Sequence, residues 1–235
     1  MCKMKLTGGI EMKMINIAID GPAGAGKSSV ARAVSAELGY LYVDTGALYR
    51  VVALYMILNR LTENADIIGA LGKFTVRLGY ENGEQRVFLD GNDMSDIIRS
   101  TDVSMAASKV SAIPEVRAFL FDLQRNIARE NSVIMDGRDI GTVVLPDADV
   151  KIFLTAAPEE RAKRRLLEMA GQPDCPEFAE ILADIVRRDE KDMNRAAAPL
   201  KQAEDAVFAD TTGLSFEESV ALVKKIICGK IGVFR

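Results

Sequence analysis

The sequence predicts an α/β fold in which a parallel sheet is covered by helices on both faces. Two observations carry that expectation. Short apolar runs alternate with amphipathic helical stretches along the chain. The first run, Ile15 to Ile19, also opens through Asp20 into Gly21-Pro22-Ala23-Gly24-Ala25-Gly26-Lys27-Ser28, with a helical pattern behind it. That turn fits G-x-x-x-x-G-K-[ST] at every fixed position.

In chain order, Ile15 to Ile19 reads as a buried strand, and Val30, Val34 and Leu38 mark one face of the first helix. Tyr40 to Val43 reads as a second strand, followed by Asp44-Thr45-Gly46 and an amphipathic helix from about Ala47 to Asn59. Composition then shifts between about Leu61 and Ser100. There Phe74 to Leu78 and Gln85 to Leu89 flank an Asn82-Gly83 pair, which is a hairpin signal. A hairpin inside a βαβ chain marks an inserted subdomain. Thr101 to Glu130 is helical in period, interrupted at Pro114. Ser132 to Asp136 and Val150 to Leu154 read as further core strands. Pro158 suits the first turn of the next helix, Gly171 to Pro176 reads as a loop, and another helix runs from about Glu177 to Met193. Ala206 to Asp210 is the last strand, and Ser215 with Glu218 makes a capping box for the closing helix.

The 235 residues, 49% apolar, supply one sizeable domain with a small insertion. A net charge of −4 argues against a nucleic-acid surface as the main business. Cys2, Cys175 and Cys228 are scattered and show no metal-ligand spacing, so a reduced, cytoplasmic protein is expected. Histidine is absent. That excludes imidazole catalysis and leaves carboxylates, lysine, arginine and a hard cation. Residues 1–13 hold no signal-peptide stretch and read as an N-terminal extension, disordered or not native, ahead of a domain over 14–235. Val51 to Leu58 is too short to span a bilayer, so no membrane partner is expected.

The glycines of the turn let the backbone from Gly21 through Ser29 curl so that its N–H groups point at a polyphosphate, at a helix N-terminus. Lys27 can reach the β- and γ-phosphates, and the Ser28 hydroxyl can ligate Mg²⁺. No N-K-x-D element accompanies the loop. The D-x-x-G matches at Asp66 and Asp210 are misplaced for a GTPase. Arginines near strand ends point instead to a second phosphorylated substrate. Arg138 and Asp139 follow a core strand, where ligands sit. Asp136 either holds Mg²⁺, directly or through water, or simply starts a turn. Arg188, Asp192 and Arg195 are spaced by four and three, which places them on one helical face if the helix persists that far. They are either an exposed ion-pair stripe worth about half a kcal/mol, or arginines on phosphate and ribose oxygens around a carboxylate that receives a sugar hydroxyl. The cluster from Arg161 to Arg165 carries less, because charged helix faces are usually solvated.

GPAGAGKSSVAR (Gly21 to Arg32), DTGALYR (Asp44 to Arg50), DGRDIGTVV (Asp136 to Val144) and RRDEKDMNRAAAPL (Arg187 to Leu200) resemble the bacterial cytidylate kinase family in order and spacing. The resemblance covers nearly the whole chain from Met14. It implies a five-stranded nucleoside monophosphate kinase core over about 14–60 and 101–235, a β-containing monophosphate-binding insert over about 61–100, and a short helical lid over about 158–190. Carried over, Ser108, Arg117 and Asp139 meet the cytosine ring, and Arg188 and Asp192 meet the sugar. Arg50, Arg138 and Arg195 hold the acceptor phosphate with Thr45 beside it. Arg161 and Arg165 are lid contacts to ATP, and Lys27, Arg138 and Arg195 are the catalytic set. The implied reaction is ATP with CMP or dCMP, using Mg²⁺, in a cytoplasmic monomer without nucleic-acid or membrane partners. A kinase for UMP, AMP or a non-nucleotide acceptor, or a nucleotide-dependent regulatory module, are the alternatives.

Overall fold

The computed structural model describes residues 13–170 and 175–232. The N-terminal extension up to residue 12, and most of the loop expected at Gly171 to Pro176, lie outside the described residues. β1 (Asn16–Asp20) leads through the glycine-rich turn into α1 (Lys27–Leu38) and β2 (Leu41–Asp44). α2 (Thr45–Leu58) follows without a linker, because the Asp44 carboxylate accepts the Ala47 N–H at 3.1 Å and caps it. The helix therefore starts at Thr45 rather than near Ala47.

α3 (Asn64–Ala70), which periodicity does not reveal, precedes an antiparallel sheet of β3 (Val76–Glu81), β4 (Glu84–Leu89) and β5 (Asn92–Asp93). The ladder runs from Val76–Leu89 to Glu81–Glu84, so the turn is only Asn82-Gly83 and the strands continue past the Leu78 and Gln85 ends read from the sequence. Both turn residues are left-handed (φ 53° and 81°), a twist that matches the strands and lets pairing continue to the tip. α4 (Thr101–Val110) and α5 (Pro114–Glu130) are separated where Pro114 opens the second. Then come β6 (Val133–Gly137), a π-helical turn over Ile140–Val144, β7 (Val150–Thr155), α6 (Pro158–Met169), α7 (Phe178–Asn194), β8 (Val207–Asp210) and α8 (Phe216–Ile231).

The central sheet has five strands in the order β2-β6-β1-β7-β8, all parallel. Ile17, Ala18 and Ile19 in its middle strand are wholly buried, because both faces are covered. α1 and α8 close one face through Val30, Val34, Val223 and Ile227. Ala128 of α5 and Ile140, Val144 and Leu145 close the other. The small sheet sits on α2, α4 and α5, with Phe74 stacked on Tyr55 at 4.0 Å and edge-on to Phe119 at 5.3 Å. α6 and α7 share a separate core of Ala162, Ile181 and Ile185.

Side chains of the hairpin also hold the edge strand β2. The Gln85 amide accepts the Asp44 N–H at 2.8 Å and donates to the Asp44 carbonyl at 3.2 Å. The Tyr80 hydroxyl donates to the Tyr42 carbonyl at 3.0 Å. Gln85→Ala is expected to lower unfolding free energy by about 1–2 kcal/mol. A shift of the urea midpoint at constant slope measures it.

Candidate active site

The register gathers three carboxylates at one end of the sheet. Asp20 pairs with Gly137, and both Ile19 and Asp44 pair with Asp136. Asp20, Asp44 and Asp136 therefore stand side by side at the C-terminal ends of their strands, where open α/β sheets bind ligands. Gly21 turns the chain away from them. A Cβ there would lie 1.9 Å from the Leu154 carbonyl oxygen, so only glycine allows this approach to β7.

Lys27, at the start of α1, is buried, and its Nζ donates to the Pro22 carbonyl at 2.7 Å. Burial, and next the Arg138 guanidinium, hold its ammonium well below the usual lysine range. Ser28 Oγ donates to Asp136 Oδ2 at 2.7 Å and Tyr42 Oη to Oδ1 at 3.1 Å. Burial, then the neighbouring Asp44 charge, push the Asp136 carboxyl up to about 6. Asp20 is pushed to about 6, chiefly by burial, although it accepts the Ile140 and Gly141 N–H groups at 2.8 and 2.7 Å. It thereby anchors the π-helical turn directly behind Asp139.

The donor set suits a divalent cation held mainly by its substrate. Ser28 Oγ and Asp136 Oδ2 are two hard oxygens sharing one proton, the kind of pair a cation can take over. Among the described residues no cluster of three or more acidic or cysteine side chains forms a complete cage. Mg²⁺ characteristically uses one or two protein ligands and completes its shell with water and phosphate.

Across the cleft, Arg138 Nε donates to Asp192 Oδ2 at 2.8 Å. Asp139, 4% exposed, accepts from Arg117 Nη2 on Oδ2 and from Arg195 Nη2 on Oδ1, the latter at 3.2 Å. Burial raises its pKa, and Arg117 and Arg195 oppose that shift. Arg117 also donates to the Ser111 carbonyl at 3.2 Å, and Ser111 Oγ to the Ser108 carbonyl at 3.1 Å. That chain ties the half-buried Ser108 of α4 to the Asp139 corner. Thr45 Oγ1 donates to the Asp136 carbonyl at 2.8 Å, and Arg50 Nη1 lies 3.4 Å from Asp44 Oδ2. Arg188 remains exposed on α7. Desolvation in the cleft and then Arg138 pull its guanidinium down to about 10, with Arg50 adding to the effect. Arg188 thus lies within electrostatic reach of Lys27, Arg138 and Arg50. Like charges so gathered favour an anionic ligand between them.

The structure decides three points of placement that spacing leaves open. α7 ends at Asn194, and Arg195 has extended backbone (φ −64°, ψ 140°), so it does not share the helical face of Arg188 and Asp192. The chain folds back there: Leu200 N–H donates to the Asp192 carbonyl at 2.8 Å and Arg195 Nε to the Ala198 carbonyl at 2.7 Å. Arg195 swings to Asp139 as a result. Asp192, 6% exposed, is no part of a solvated stripe. Arg161 does not project from a solvated helix face either. It is 4% exposed, and its guanidinium is engaged by Ala156, Ala23 and Asp189. Arg165 is exposed and paired with Glu168 at 3.0 Å.

Asp20 and Asp189 are buried site residues that motif reading passes over. Both carried a signal. Asp20 follows the apolar, wholly buried Ile17, Ala18 and Ile19, and Asp189 falls where the stripe of Ile181 and Ile185 calls for another apolar side chain.

The family model described as cytidylate kinase matches residues 17–228. A cytidylate kinase of Caldicellulosiruptor bescii is 48% identical, covering 92% of this chain and 96% of its own length. One from Desulfitobacterium hafniense is also 48% identical, over 93% and 95%. Among solved structures, an uncharacterized protein from Eubacterium ventriosum shares the fold at 14% identity and a TM-score of 0.52, covering 92% of this chain and 99% of its own.

Proposed function

The chain belongs to the cytidylate kinase family, and we propose that its site residues divide into a donor pocket for ATP and an acceptor pocket for CMP or dCMP. The enzyme is an ATP-dependent kinase that transfers the γ-phosphate to CMP or dCMP, giving CDP or dCDP and ADP, with a divalent metal. In the donor pocket, the loop from Gly21 to Ser29 cradles the phosphates through the N–H groups that follow Ala23, and Lys27 neutralises charge on the β- and γ-oxygens. Arg165 reaches ATP from the lid helix and Arg161 acts from beneath the loop. Ser28 and Asp136 hold Mg²⁺, which when bound supplies charge neutralisation between the phosphates. In the acceptor pocket, Arg50, Arg138, Arg195 and Thr45 take the phosphate, Arg188 and Asp192 the sugar, and Ser108, Arg117 and Asp139 the base. Among the described residues no helix is long and apolar enough to cross a membrane. A cytoplasmic monomer without nucleic-acid partners belongs to the same proposal.

The observation that supports this reading most is the sequence Arg138-Asp139 at the end of β6, with each side chain held by a partner from elsewhere in the chain. Phosphoryl transfer needs two phosphates aligned and positive charge spread over the moving group, with little covalent chemistry from the protein. Arg138 supplies that charge, and Asp192 fixes its direction while facing the sugar. ADP release measured across CMP, dCMP, UMP and AMP tests the reading. Turnover restricted to CMP and dCMP is expected; turnover with AMP alone, or with no monophosphate, would overturn it.

Asp192→Ala separates recognition from ion pairing. Losing the sugar acceptor and freeing Arg138 should lower kcat/KM for CMP by about tenfold or more, some 1.4 kcal/mol. ATP affinity should stay within about twofold. Matched small changes in both would return Asp192 to a purely structural pairing.

A further inference from the structure

Asp189 follows Arg188 on α7 but faces another part of the molecule. Its carboxylate is 6% exposed. Oδ1 accepts the Ala23 N–H at 3.3 Å, and Oδ2 accepts from Arg161 Nη1 at 2.6 Å. The same Nη1 donates to the Ala23 carbonyl at 3.0 Å, while Arg161 Nε donates to the Ala156 carbonyl at 2.8 Å. Both polar backbone groups of Ala23 are therefore taken by one buried ion pair. At the next residue, Gly24, a Cβ would lie 3.4 Å from Arg161 Cβ, so the arginine packs directly against the loop.

A buried ion pair is a poor source of stability, because desolvating both charges offsets most of their attraction. Apolar side chains would fill the same space between α6 and α7, as Ala162, Ile181 and Ile185 do beside it. What apolar side chains cannot do is hold a peptide by both its donor and its acceptor. We propose that Asp189 and Arg161 are positioning residues for ATP, fixing the Ala23 backbone so that the N–H groups after it converge on the phosphates. The proposal rests on the donor pocket assigned above, and it has Arg161 act on ATP through the loop. It also joins the two pockets. Arg188 and Asp192 lie on the same helix as Asp189, so the helix that reads the acceptor is fastened to the loop that holds the donor.

Asp189→Asn tests this. The amide keeps the size of the carboxylate but has one acceptor oxygen, so it turns its N–H₂ on either Ala23 N–H or Arg161. KM and equilibrium affinity for ATP are expected to weaken by about tenfold, with KM for CMP changed less than about twofold. The double variant Arg161→Met/Asp189→Leu removes both charges and keeps apolar volume. It should melt no lower than the parent yet show the same ATP-specific loss. Equal rises for ATP and CMP would mean that the pair only seats α7, and an unchanged ATP affinity would mean that it does nothing for the loop. Either result overturns the proposal while leaving the kinase in place. A parent that bound no ATP would overturn both.

Discussion

Lys27→Ala lowers kcat by at least about a hundredfold, on the scale of 3–4 kcal/mol typical for a lost charge-stabilising group, while the circular dichroism spectrum stays that of the parent. The Lys27 ammonium is buried at the N-terminus of α1, its Nζ bonded to the Pro22 carbonyl at 2.7 Å. No other lysine lies in the loop. Burial and the charges of Arg138 and Arg188 work against its protonation, and Asp136 and Asp20 work for it. A triphosphate entering the loop brings negative charge to this spot and offsets the cost of burial, so the attraction of Lys27 is strongest where charge builds up in the transition state. The fold should tolerate the loss, because removing one cation from a cluster of like charges relieves repulsion. A fall of less than about tenfold, roughly 1.4 kcal/mol, with an unchanged spectrum would mean that the loop does not hold the transferred phosphate.

The central sheet was legible in the sequence because parallel strands covered on both faces are mostly apolar, as Ile17 to Ile19 of β1, Val133 to Met135 of β6 and Ile152 to Leu154 of β7 are. The phosphate loop was legible because its geometry is local. Elements set by distant partners were not. The π-helical turn after Asp139 follows from Asp20, far back in the chain, accepting the Ile140 and Gly141 N–H groups. α3 and β5 are too short for periodicity to register. The site divides in the same way. Spacing alone left Arg188, Asp192 and Arg195 open between an ion-pair stripe and a binding face, and only the family resemblance attached them to a nucleotide. Even that resemblance did not convey the departure of Arg195 from the helix, which the turn through Ala198 and Leu200 produces. Asp189 is the clearest case of a readable but unread signal: a carboxylate standing in an apolar stripe asks for a buried cation.

CMP should be preferred to UMP by about a hundredfold or more, and Asp139→Ala should erode that ratio at least about tenfold. Cytosine presents an exocyclic amine and an unprotonated N3 where uracil presents a carbonyl and an N–H. A site selecting cytosine needs an acceptor for the amine and a donor for N3. Asp139 has room for the first role, since Arg117 and Arg195 occupy one site on each oxygen and a carboxylate offers about four in all. In the proposed acceptor pocket the Ser108 hydroxyl is a second candidate acceptor. Arg117 supplies the donor, held at a fixed angle by the Ser111 carbonyl and lying 5.6 Å from the centre of the Tyr49 ring. With UMP the carboxylate faces a carbonyl and the guanidinium faces an N–H. Each buried mismatch costs about 1–3 kcal/mol, more for charged groups, which gives the hundredfold. Removing the carboxylate takes away the amine's acceptor, and it also releases Arg117 to donate to the uracil carbonyl. CMP turnover should therefore fall while UMP turnover holds or rises. The measurement is kcat/KM for both substrates in parent and variant. A parent that used UMP as well as CMP would sink the assignment of Ser108, Arg117 and Asp139 to the base, yet leave the phosphate-transfer machinery around Lys27 and Arg138 intact.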